Sequence, residues 1–328
     1  MQKNQRIEYI SLASVLSAIA VVFLHANVTV ADFNYSWYWL IANIIHSAFI
    51  FAVPVFFMIS GAMLLDFREK YDLKTYFSKR INKTVLPYIF WSIAGLLIQV
   101  FILHYISLSD VTFSYFVSGM MHGNLVIVYW FFIPLFALYL LFPLCFIIKD
   151  NKKLLISSIF LLFIINYLIS SSIPGYLAIA LTGYYIHKYG VSRRIRILFY
   201  ILLAIGFFVN CFGTYYLSLS AGKYVAYLRD YTSVSCVLYS VGVFILIKYD
   251  LIKFLKKDNI KKIISYLDHY TFAIYLIHWY IIQFLIVLFN IDITSIIFRL
   301  LSPFVVIVIC VVIINVLRKV PVVSKIVP

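Results

Sequence analysis

Apolar residues run in blocks near 8–29, 38–65, 85–108, 124–148, 154–171, 173–189, 197–220, 231–248, 270–291 and 294–317, with polar and charged residues gathered between them. A helix needs about 20 mostly apolar residues to cross the hydrocarbon core, and lipid offers an unpaired peptide group no partner. The pattern predicts an all-α, polytopic membrane bundle of about ten transmembrane helices. The fifth and sixth blocks are short and meet at SSSIPG, which reads as a tight turn. The longest pieces outside the blocks, 66–84, 109–123, 221–230 and 249–269, leave no room for a separate soluble domain, so 1–328 reads as a single transmembrane domain. The first block follows MQKNQR without a clear cleavage site and reads as a retained helix rather than a signal peptide. No internal repeat emerges, which disfavours an inverted-repeat transporter.

Composition supports this class. Hydrophobic residues make up 64% of the chain and charged residues only 12%, far from the balance of a soluble domain. The net charge of +15 invites a nucleic-acid reading, but the distribution excludes it. Lys3 and Arg6 precede the first block, and clusters such as Arg68–Lys83, Lys149–Lys153, Lys188–Arg196, Lys248–Lys262 and Arg318–Lys325 follow alternate blocks. These clusters hold 24 of the 27 Lys and Arg, all on one side of a ten-span bundle. That asymmetry places both termini in the cytoplasm. Lys223, Arg229 and Arg299 are the exceptions. Cys145, Cys211, Cys236 and Cys310 are far apart and lack metal-site spacing, so they read as buried small hydrophobes.

Ionisable groups inside the blocks are the candidates for chemistry. His25 lies sixteen residues after Tyr9, about 24 Å along a helix, which places it toward the external half. His46 falls on the next block, His187 at the end of the sixth and His278 on the ninth. A neutral histidine also braces helices, and for His46, His187 and His278 that reading is the stronger one. No carboxylate sits in the middle of a block, and neither a Gly-rich phosphate loop nor a GxSxG elbow occurs.

Five segments, in order, carry a resemblance: RIEYISLASVLSAIAVVFLHANV, VPVFFMISGAMLL, KRINKTVLPYIFW, YWFFIPLFALYLLFPL and YLDHYTFAIYLIHWYII. Together they resemble the membrane-bound acyltransferase family 3, which includes bacterial surface-polysaccharide O-acetyltransferases. Three positions depart from its pattern. Ser14 stands where the family commonly has arginine, Ser11 where an acid is common, and Val128 where a histidine often precedes the tryptophan. The chain is then a mutated or specialised member, or one in which Arg6 or Arg80 supplies the missing charge.

The resemblance implies transfer of an acyl group, most often acetyl, from cytosolic acyl-CoA to a hydroxyl of an extracytoplasmic or lipid-linked glycan, within a bacterial cytoplasmic membrane. His25 would be the catalytic group, either as general base or as the residue that is itself acylated. Arg80, with Lys79 and Lys83, would meet the CoA phosphates at the inner mouth. Trp130, Tyr139, Tyr275, His278 and His46 would line the path to substrate, and an open cavity would join Arg80 to His25. No metal or tightly bound cofactor is expected. Ser60 and Gly61 read as close-packing positions rather than chemistry. Two other readings stay open, a transporter or flippase for a glycan or lipid precursor and a non-catalytic family member.

Overall fold

The computed structural model describes residues 7–169, 171–321 and 323–327, and Lys3 and Arg6 lie outside them. The chain is all-helical, with no strand among the described residues. The first helices are α1 (Glu8–Ala26), α2 (Trp37–Phe49), α3 (Ala52–Leu64), α4 (Leu73–Arg80) and α5 (Leu86–Phe101). They are followed by α6 (Phe113–His122), α7 (Phe132–Cys145), α8 (Lys152–Leu168), α9 (Ile173–Tyr189) and α10 (Arg193–Phe208). The rest are α11 (Thr214–Ala221), α12 (Val234–Tyr249), α13 (Asp258–Asp268), α14 (Thr271–Phe289) and α15 (Ile296–Leu317). Polar residues start many of them. Ser36, Asp72, Thr112, Asn151, Ser192, Ser233 and Ser295 each accept a hydrogen bond from a backbone N–H of the first turn.

Eight helical stretches among the described residues are long and apolar enough to span a bilayer. The expected ten includes α8 and α9, which have 17 residues each and stop just short of that length. The fourth expected span is observed as Ile127–Cys145, and the expected connection 109–123 holds a separate helix, α6, closed at Gly123 by a left-handed turn. The basic stretch after α3 is not a loop. α4 and α5 form one continuous rod, Leu73–Phe101, joined by a π-turn at Ile81–Val85. A second π-turn, Val209–Gly213, joins α10 to α11. Lys, Arg and Asn in 73–85 obey helical geometry while spoiling the apolar count, which is why that segment resembles a connection.

α1 is the hub, packed by α3, α12, α13, α14 and α15. Its small residues Ser11, Ala13, Ser17, Ala18 and Ala20 let several neighbours approach at once. The tightest seam joins α3 and α9. A Cβ on Gly61 would stand 1.8 Å from the Ala180 carbonyl oxygen, and one on Gly183 would stand 2.2 Å from that of Met58. Two glycines thus let two backbones touch, the role expected for Gly61. Ser60 donates to Phe56 O within its own helix (2.9 Å).

The basic clusters meet at one end of the bundle. There, buried Lys149 pairs with Asp66 (3.0 Å), Glu69 (2.6 Å) and Asp150 (3.1 Å), and Lys188 also pairs with Asp150. Tyr9 hydrogen-bonds His187 (2.5 Å), so His187 braces α1 against α9, as the bland reading of it held. Lys248 donates to the Ile186 and His187 carbonyls. Arg229 and Arg299, two of the three exceptions to the charge pattern, are buried at the opposite end. Arg299 donates to Ile293 O (3.2 Å), Tyr38 O (2.6 Å) and Thr29 Oγ1 (2.7 Å). The four cysteines are buried and unbridged.

Candidate functional site

His25 stands in the last turn of α1. Asn27, which caps that helix, donates to Ala42 O of α2 (2.7 Å) and so fixes where the helix ends. The ring of His25 lies 5.1 Å, centroid to centroid, from that of His278 on α14. His46 of α2 lies within electrostatic range of both His25 and Arg229. His25 is thus half-buried on the hub helix, with a second imidazole against its ring. The sequence placed it toward the external half; its neighbour His278 lies seven residues into α14.

Hydrogen bonding fixes the tautomer of His278. Its Nδ1 faces the carbonyls of Ile274 (3.1 Å) and Tyr275 (2.8 Å), and carbonyls only accept. Nδ1 therefore carries the proton, and Nε2 offers a lone pair that is buried and unpartnered. Asn27 Oδ1 and His46 Nδ1 are buried without partners as well. Buried polar atoms are nearly always paired, so three orphans in residues around one histidine mark a place built for a polar guest. His25 itself has no hydrogen-bond partner among the described residues.

The other candidates fall into two groups. Tyr275 lies 5.8 Å from His278 and donates to Val128 O, which puts Val128 beside the site although its side chain carries no proton. Trp130 stacks on Tyr231 (5.5 Å), and Tyr231 is within electrostatic range of Tyr275. His25, His278, Tyr275 and Trp130 are therefore brought together. Arg80 and Tyr139 form a second cluster at the π-turn, with the guanidinium 5.5 Å from the Tyr139 ring and Thr84 3.4 Å from its hydroxyl. π-turns in helices recur at functional sites. Arg80 makes no ion pair among the described residues, and its Nε is buried and unpartnered. Lys79 lies over the Tyr71 ring at 3.8 Å and Lys83 is exposed, so neither joins Arg80.

A file of packed rings connects the two clusters. Tyr139 meets Phe136 (6.4 Å), Phe136 meets Phe132 (5.8 Å) and Phe132 meets Tyr275 (5.6 Å). Aromatic side chains thus stand along the route on which the sequence suggested an open cavity. One of the three departures, Ser11, also acquires an explanation. Ser11 donates to Asp268 of α13 (2.8 Å), so a carboxylate reaches that level of α1 from another helix. No contact among the described residues brings Arg80 to His25.

Sequence reasoning missed Asn27, Asn43 and Arg229. Arg229 donates to Asn43 O (2.8 Å), Asn43 Oδ1 and Ser47 Oγ (3.1 Å). Asn43 in turn donates to Cys211 O (2.9 Å) in the second π-turn, where the irregular ladder needs an outside partner. The one available signal was that Arg229 breaks the charge pattern. Among the described residues no three His, Cys, Asp or Glu converge as metal ligands.

A protein-family model described as an acyltransferase domain, that of acyltransferase family 3, matches residues 7–316. No curated protein and no solved structure matches the chain.

Proposed function

Because the chain belongs to acyltransferase family 3 and is a multi-pass membrane acyltransferase, we propose that it moves an acyl group, acetyl in the simplest case, from cytosolic acyl-CoA to a hydroxyl of an extracytoplasmic or lipid-linked glycan. Its setting would be a bacterial cytoplasmic membrane with both termini inside. The observation that carries this reading is the surroundings of His25: a second imidazole at 5.1 Å and three unpartnered polar atoms on neighbouring residues, within the hub of the bundle.

The chemistry follows from an unprotonated imidazole. A ring nitrogen of His25 takes the proton of the acceptor hydroxyl as its oxygen attacks the thioester carbonyl. The C–S bond breaks, and the departing thiolate takes that proton from the imidazolium and leaves as the CoA thiol. A general base of this kind contributes about 10²–10⁴-fold. His278, with its tautomer fixed by Ile274 and Tyr275, presents a lone pair and so positions His25 rather than competing for the same proton. Arg80, an unpaired cation at the basic end, suits a donor phosphate.

The test is transfer by purified protein in proteoliposomes, with labelled acetyl-CoA and a hydroxyl-bearing glycan. Label should reach the acceptor, and His25→Ala should reduce the rate about 100-fold or more. Equal labelling by the variant would remove His25 from the mechanism. Glycan movement without acylation would establish a carrier instead.

A further inference from the structure

One concavity lies away from both clusters. A groove of about 720 Å³ opens at the basic end, where α13 turns into α14 beside the end of α15. Its volume falls within the range of small-molecule sites. Lys261, Lys262, His269 and Arg318 line it against one acid, Asp258. Two rings complete it. Tyr266 and Tyr270 lie 5.0 Å apart, and Tyr266 is 51% exposed. Asn315 holds both, accepting from the Tyr270 hydroxyl (2.8 Å) and donating to that of Tyr266 (3.5 Å).

The cations are arranged differently. Lys261 is paired with Glu8 of α1 (2.5 Å), which anchors α13 to the hub. Arg318 lies 4.7 Å from the Tyr270 ring and donates to His269 O (2.7 Å), so its guanidinium is oriented. Lys262 has no ion-pair partner among the described residues and is exposed. A mobile ammonium, an oriented guanidinium and an exposed ring around one concavity match a ligand with several phosphates and a flat base.

The groove also lies at the foot of the seam that carries the two histidines. Tyr270 precedes His278 by eight residues, about 12 Å along α14. On the other wall Ser11 bonds Asp268 beside the groove, and His25 lies further along α1. Between groove and histidines, Val15, Ala18 and Ile19 face Ile274 and Ile307 around a gap of about 10 Å³.

We infer that this groove binds a phosphate-rich adenine nucleotide, the head of the acyl donor, with its phosphates on Lys262 and Arg318, in place of Arg80, and its base on Tyr266. The inference rests on the acyl-CoA reading above. It places the head at the foot of the α1–α14–α15 seam, so the acyl arm reaches the histidines by parting the aliphatic side chains there. The same phosphate chemistry occurs in anionic lipid headgroups, and the test separates the two sources.

Binding of radiolabelled CoA is measured by equilibrium dialysis on the full chain in nanodiscs, of phosphatidylcholine alone and with 30% phosphatidylglycerol, about a third of the lipid. Lys262→Ala and Tyr266→Ala change exposed side chains, and each should weaken CoA binding about tenfold, with inorganic pyrophosphate competing against the wild type only. Val305→Ala, an exposed position on α15 far from the groove, should bind as the wild type does. Tight CoA binding that both variants retain would overturn the groove while leaving the donor reading intact. No CoA binding by the wild type would overturn the donor reading and the groove with it. Wild-type CoA binding lost only on adding phosphatidylglycerol would mark a headgroup site and overturn the nucleotide assignment.

Discussion

The contact between α3 and α9 allows the most stringent test of the packing argument. In Gly61→Ala the new Cβ would lie 1.8 Å from the Ala180 carbonyl oxygen, whereas real Cβ atoms essentially never come within 3.0 Å of such an atom. The obstacle is backbone and has no rotamer to escape into, so the two helices must separate by at least 1.2 Å, the difference between those distances. Overpacking usually costs about 1–3 kcal/mol, and a backbone clash belongs at the upper end, about 3 kcal/mol. Gly183→Ala needs only 0.8 Å of relief, from 2.2 to 3.0 Å, and should cost less. One separation relieves both clashes, so the double variant should lose clearly less than the two single losses added together. Thermal unfolding in detergent, followed by tryptophan fluorescence, measures this. Leu140→Ala, at a position 65% exposed, serves as the reference. A Gly61→Ala midpoint equal to that of the reference, or strict additivity in the double variant, would refute the claim that backbone contact holds this seam.

Lys149→Gln should cost about 1–3 kcal/mol, less than the loss of a fully buried pair because Glu69 and Asp150 are water-accessible. Burial pulls the Lys149 ammonium down, but hydrogen bonds to Glu69, Asp66 and Asp150 outweigh it and hold it above the ordinary lysine value, so that contribution is lost only at strongly alkaline pH. Lys188 and then Lys149 hold the Asp150 carboxyl below the usual carboxylate range, so its share is complete above about pH 4 and is lost as pH falls further. Unfolding midpoints measured from pH 3 to 9 should therefore show the variant's deficit shrinking at the acid end, and a deficit that grows there would contradict the ion cluster. His278→Gln should lower kcat about 10–100-fold with little change in KM for either substrate, as expected of a residue that orients the base. Unchanged kcat would reduce His278 to a helix brace.

Most of the helices were legible because lipid imposes a simple rule on a chain, a long apolar run closed by polar residues. The rule breaks where helix and apolarity part company. Leu73–Val85 is helical yet basic, and α13 is helical yet amphipathic, so both resemble connections. Of the site, His25 was visible as a titratable group amid apolar neighbours, but its pairing with His278 joins α1 to α14 and no periodicity spans that distance. The sequence also suggested a clear passage from Arg80. Phe132 and Phe136 each read as ordinary apolar residues, and only packing reveals that they link the Tyr139 and Tyr275 rings along it.

The arginine that holds Asn43 imposes an order on assembly. Arg229 lies 186 residues beyond the carbonyl it binds, on the turn before α12 that must be made before it can reach α2. Until α10 to α12 have been threaded, α2 lacks its latch and the second π-turn lacks the amide that completes it. A nascent chain halted before that turn should therefore display its leading helices as a loose, protease-accessible set. The latch at Asn43, three residues from His46, would close only when about three-quarters of the chain has been made.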